Sequence, residues 1–162
     1  MSDLGDAALT GLAEELLAAL ARHGWTIGVA ESLTGGLVTA SLVSVPGASA
    51  HVRGGVVSYA TDLKHSLLGV DAELLAVHGA VHPEVARQMA EGVRRQTGSD
   101  VGVSTTGIAG PLSPDGQPVG TVHIGIATPD RTTVHSSVLE GDRDAIRRGT
   151  VRAALEAAVA SL

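Results

Sequence analysis

Four short stretches of this chain carry residue types that can do covalent chemistry. The first is 30-AESLTGG-36, where Ser32 stands between a carboxylate and a pair of glycines. A serine hydroxyl is a weak nucleophile and needs an adjacent base. Lys64 is the single lysine of the chain, and it follows the single tyrosine, Tyr59, by five residues in 58-SYATDLK-64. A lysine acts as a base only when neutral, and burial is the main force that lowers its pKa. A tyrosine hydroxyl nearby can relay a proton or orient the amine. Each residue also has a plainer reading. Ser32 suits a helix N-cap, Lys64 a solvated surface, and Tyr59 an ordinary packed ring.

The other two stretches are 105-TTGIAGP-111 and 140-EGDR-143. Thr105, Thr106 and Gly107 suit either a tight turn or one wall of a small-molecule pocket. Asp142 is a good N-cap, which leaves Arg143 as a cation at a helix start. A bound anion would explain that placement, and so would a neighbouring acid. Backbone N–H groups from Thr34 to Gly36 could stabilise an oxyanion, and Gly35 and Gly36 would let a ligand come close to the backbone. The stretch is neither GxxxxGK[ST] nor GxSxG, since Ala30 stands two before Ser32. The seven histidines show no ligand spacing. Gly79 and Pro83 break any helix that would place His78 and His82 on one face, so no metal site is expected.

The elements that must position these residues follow from periodicity and breakers. Leu9, Leu12, Leu16 and Leu20 make a helical stripe that stops at Gly24. Residues 26–30 read as a strand, 34–44 as a helix and 54–60 as a second strand. Thr61 is the expected N-cap of a helix to Leu68, with a helical turn at 71–78. Pro83 opens a helix over 83–97, with Val85, Met89 and Val93 inward. A strand at 100–105, a hairpin of 121–128 with 132–140, and a helix over 142–160 complete the chain. Strand–helix units of this kind predict α/β architecture: a three-layer α/β/α sandwich with a mixed, mostly parallel sheet in a single domain, 1–162. In such a sheet function collects at the carboxyl ends of strands. All four stretches leave such ends.

Composition excludes several classes. Of 162 residues, 44% are hydrophobic and 17% charged, which suits one packed core. Only 1% are aromatic, so the core is aliphatic. The net charge is −6 and no basic stripe is present, which argues against direct nucleic-acid binding. Cysteine is absent, so disulfides, Cys-ligated zinc and a thiol nucleophile are excluded, and a cytoplasmic location is expected. The N-terminus has no basic segment of a signal peptide, and no run is long enough to span a membrane.

Five segments in order resemble one family: 30-AESLTGG, 54-GGVVSYATDLKHSLLGV-70, 79-GAVHPEVARQMAEGV-93, 105-TTGIAGP with 118-PVGTV, and 141-GDRDAIRRGTV-151. They are similar to the CinA C-terminal domain family, the nicotinamide-nucleotide amidases. The resemblance runs from about Gly24 to Leu155. It implies hydrolysis of nicotinamide mononucleotide to nicotinic acid mononucleotide and ammonia, with no metal or organic cofactor, on an α/β/α fold. It implies Ser32 as nucleophile, Lys64 as base and Tyr59 as assisting hydroxyl. Thr106 and Gly107 would lie against the substrate and Arg143 near its anionic part. A homodimer or higher homo-oligomer is implied, and the length suggests a stand-alone amidase domain. The family usually has a serine after the GAV triplet, where this chain has His82. A phosphotransferase would need an acidic magnesium site that these loops lack. A non-catalytic nucleotide-binding module, tied to competence or DNA damage, is the competing reading and predicts binding without turnover.

Overall fold

A computed structural model describes residues 3–162, with side chains from Ala7 onward. The first two residues of the expected domain lie outside the described residues. The order of elements is α1 (Asp3–His23), β1 (Ile27–Glu31), α2 (Leu37–Val43), a 3-10 turn (Ala48–Ala50), β2 (Val52–Val57), α3 (Thr61–Leu68), α4 (Ala72–His78), α5 (Pro83–Thr97), β3 (Val101–Gly107), β4 (Thr121–Ala127), β5 (Thr132–Val138) and α6 (Arg143–Ser161). The five strands form one sheet in the order β2-β1-β3-β4-β5. The pairs β2/β1 and β1/β3 are parallel, and β3/β4 and β4/β5 are antiparallel. Four strands therefore point one way and only β4 opposes them, which makes the sheet mixed and mostly parallel as expected.

The layers follow from the connections. The step from β1 to β2 passes through α2, which packs with α1 and α6 on one face. The step from β2 back past β1 to β3 passes through α3, α4 and α5 on the other face. Reversing both direction and face keeps parallel crossovers of one hand, as chain twist requires. It also creates a switch point between β1 and β3, where the loops diverge and open a crevice at the carboxyl ends.

Aliphatic side chains fill both layers. Leu16, Leu20, Ile27, Val29, Ile126 and Leu155 bury on the α1/α2/α6 side. Val85, Met89 and Val93 of α5 are fully buried on the other, with Leu68 and Leu75. Helix α5 lies close against the sheet, because a Cβ on Gly102 or Gly125 would collide with the Ala90 or Ala86 carbonyl. Ser104 Oγ donates to Ala86 O at 2.6 Å and accepts from Gly125 N at 3.1 Å, pinning that contact.

Two boundaries differ from the sequence reading for physical reasons. The helix expected from residue 34 begins at Leu37. Gly35 and Gly36 hold φ of 59° and 102°, left-handed values that end any helical run through them. The strand expected over 54–60 ends at Val57. Ser58 N still donates to Glu31 O at 2.9 Å, and the chain then turns away around a buried side chain.

Candidate active site

Ser32 follows the last residue of β1, at the switch point. Its N–H donates to Thr105 O at 3.0 Å, which extends the β1/β3 pairing by one residue. The turn after it is held from three directions. Gly35 N donates to Ser32 O at 3.1 Å. Arg147 of α6 donates from Nε to Leu33 O at 2.9 Å and from Nη2 to Thr34 O at 3.4 Å. Glu31, fully buried, accepts from Val38 N at 2.8 Å, Thr39 N at 3.0 Å and Thr39 Oγ1 at 2.8 Å. A carboxylate facing the first N–H groups of a helix satisfies orphan donors and complements the dipole. Glu31, not Ser32, therefore caps α2, and the serine hydroxyl is released from the helix-cap role that its neighbours suggested. The cap residue by position, Gly36, makes no side-chain bond.

Lys64 lies in the first turn of α3, whose N-cap is Ala60 where Thr61 was expected. Its side chain is fully buried, the largest to be so among the described residues. Nζ lies 3.0 Å from Ser32 Oγ, 2.6 Å from Ser58 O and 3.3 Å from Tyr59 O. Among the described residues no carboxylate compensates it, and burial lowers its pKa from 10.5 to about 8. A neutral amine has two N–H donors and one lone pair. As the ammonium, Nζ donates to all three oxygens; once neutral, it keeps two donors for the carbonyls and turns its lone pair to the Ser32 hydroxyl.

Ser32 borders a cavity of about 490 Å³ at the carboxyl edge of the sheet, a size that suits a small ligand, with Lys64 buried behind it. Ser32, Tyr59, Thr106, Gly107 and Arg143 line it. Tyr59 is 61% exposed, and its hydroxyl accepts from Arg143 Nη2 at 3.3 Å. Arg143 Nη1 donates to Gly110 O at 2.7 Å. Tyr59 thus reaches Lys64 through its backbone carbonyl, while its hydroxyl stands with Arg143. Thr106 Oγ1 donates to Ala80 O at 2.7 Å. The cavity lining does not include Thr34, Gly35, Gly36 or Thr105. Thr34 and Thr105 are fully buried and bond one another, Oγ1 to Oγ1 at 2.7 Å. A second concavity of about 260 Å³, between Leu9, Leu37 and Arg148, contains neither member of the pair.

Sequence reasoning missed Gly79, Ala80, Val81 and Asp115, which also line the cavity. Gly79 and Pro83 read as a helix stop and a helix start, so the residues between them carried no chemical signal. Gln117 Nε2 bridges Val81 O at 3.0 Å and Asp115 at 2.8 Å, tying these two segments together. His82 occupies the N-cap of α5 and accepts from Glu84 N through Nδ1 at 3.1 Å. A serine hydroxyl would do the same, which accounts for the exchange at this position. Among the described residues, no three His, Cys, Asp or Glu side chains gather as a metal site. No helix is long and apolar enough to cross a membrane.

A serine–lysine pair, buried at the switch point of a three-layer α/β/α sheet beside a ligand-sized cavity, defines the class of protein. The sequence model of the CinA C-terminal domain matches residues 9–162, and the chain belongs to that family. A CinA-like protein of Frankia casuarinae is 52% identical over 141 residues, covering 87% of this chain and 33% of that protein. The chain spans about a third of the length of the curated relatives it matches. The competence/damage inducible protein CihA of Agrobacterium tumefaciens is 36% identical with a TM-score of 0.90, over 94% of both chains. The competence damage-inducible protein A of Klebsiella pneumoniae is 33% identical with a TM-score of 0.91, over 94% of this chain and 95% of that one.

Proposed function

We propose that this chain hydrolyses the carboxamide of nicotinamide mononucleotide, releasing ammonia and nicotinic acid mononucleotide. The observation that carries the hydrolytic part is the 3.0 Å contact of Ser32 Oγ with a fully buried, uncompensated lysine amine. The family resemblance carries the choice of substrate.

Ser32 Oγ attacks the carboxamide carbon while Lys64 Nζ takes the Oγ proton. The tetrahedral intermediate collapses as Lys64 returns that proton to the leaving nitrogen, and ammonia departs. Water then attacks the Ser32 ester. Lys64 takes the proton of water and passes it to Ser32 Oγ as the carboxylic acid leaves and ionises. We assign the oxyanion to backbone N–H groups at Thr106 and Gly107, which line the cavity with Ser32. One such donor is worth about 3–4 kcal/mol in the transition state. Arg143 binds the phosphate at the N-terminus of α6, and the exposed Tyr59 ring covers the pyridine.

The test is ammonia release from nicotinamide mononucleotide by wild type, Ser32→Ala and Lys64→Ala. Both variants should lose at least about 10³-fold in kcat. Full activity of Ser32→Ala refutes the nucleophile. Saturable binding by wild type without release would replace hydrolysis with a sensing role.

A further inference from the structure

A third cavity, of about 520 Å³, opens at the amino edge of the sheet, opposite the serine–lysine pair. It lies where α5 ends and where β4 turns into β5 through Pro129 and Asp130. Seven residues of β3 separate the two edges, roughly 20 Å at the usual strand rise. Arg94, Arg95 and Arg131 line it, which is three of the ten arginines of an acidic chain. Thr128 N donates to Arg131 O at 2.8 Å and closes the turn that presents Arg131.

Arg95 and Arg131 are exposed at the cavity, and the protein itself offers these guanidiniums few acceptors. Arg94 donates from Nη1 to Thr128 O at 3.0 Å, yet its Nε is buried without a partner. Arg95 reaches only Leu68 O, at 3.5 Å. Two carboxylates border the cavity, Glu91 and Asp130. Glu91 turns to Arg87, at 3.8 Å. The cavity therefore carries three permanent cations against two acids, one of them already paired. An arginine keeps its proton at any ordinary pH, so these three charges persist whatever the conditions.

We propose that this cavity is a second ligand site, for a small phosphate-bearing anion, separate from the site of hydrolysis. Its size suits a small molecule, and a net charge of −6 opposes an extended polyanion such as nucleic acid. A planar guanidinium fork matches phosphate oxygens, and Arg95 and Arg131 stand exposed at the cavity. The C-terminal end of α5 disfavours an anion by about two- to fivefold. One charged hydrogen bond outweighs that, at about tenfold or more.

The probe is inorganic pyrophosphate, titrated calorimetrically at constant ionic strength into the Arg143→Gln protein, which lacks the arginine proposed to bind phosphate in the catalytic cavity. Saturable binding should remain there. It should weaken about tenfold on adding Arg131→Gln, and again on adding Arg95→Gln, both exposed positions. Absence of saturable binding in Arg143→Gln overturns the proposal. So does equal binding with and without the two further substitutions. Neither result touches the hydrolytic reading, which is tested by ammonia release.

Discussion

The protonation state of Lys64 is the most exposed point of the proposed mechanism. Burial lowers its pKa from 10.5 to about 8. At pH 7 about one molecule in eleven then carries the neutral amine, against about one in three thousand for an unshifted lysine. Burial thus raises the competent fraction about 300-fold at neutral pH. The expected kcat/KM rises tenfold per pH unit below about 8 and is level above about 9. A profile still rising at pH 10 would show an unshifted lysine, and a flat one from pH 6 upward would remove Lys64 as the base. The same shift governs stability. Between pH 8 and 10.5 the unfolded chain holds a proton that the folded chain has released, so stability increases with pH across that window. The difference of 2.5 units corresponds to about 3 kcal/mol. Urea denaturation at pH 7.5 and pH 10.5 should reveal that rise in wild type and its loss in Lys64→Met, which keeps the bulk without the charge. An equal pH response in both proteins refutes the buried-amine argument.

Other substitutions probe the frame around the pair. Glu31→Gln sets an amide against N–H donors and should lower unfolding stability by about 2–3 kcal/mol in denaturant titration, with activity falling as the turn shifts. Arg147→Ala should reduce kcat about ten- to a hundredfold with little change in KM, because Arg147 orients the turn without touching substrate, and Arg147→Lys should recover part of it. A raised KM at unchanged kcat would place Arg147 in binding instead. Gly92→Ala drives a Cβ into the Leu68 carbonyl and should cost about 2–4 kcal/mol by thermal or urea unfolding.

Much of this was legible before any coordinates. Periodicity and breakers located the helices and strands, though not the 3-10 turn Ala48–Ala50, because apolar spacing and glycine or proline stops are local signals. The carboxyl-edge rule brought Ser32, Tyr59, Thr106 and Arg143 to one cavity because each lies at or just past the carboxyl end of a strand or at a helix start. Three features stayed hidden. Glu31 caps a helix whose bonded amides lie seven and eight residues ahead, beyond the three-residue reach of a capping box. Thr34 and Thr105 satisfy each other across 71 residues, and no local pattern reports such a pairing. The 79–81 wall belongs to a connector between two helices, and only tertiary packing carries it to the strand ends.

The cap that Glu31 places on α2 has one more consequence. Loops around reacting groups are commonly the first parts of a protein to open, and their amide protons exchange early with solvent. Here the residue before the nucleophile holds the first amides of a helix, and the nucleophile itself is paired to the central strand. The turn cannot loosen without breaking that helix start and the sheet centre together. The amide protons of Val38 and Thr39 should therefore exchange with deuterium only when the whole chain unfolds, so the reacting edge belongs to the slowest-exchanging part of the molecule.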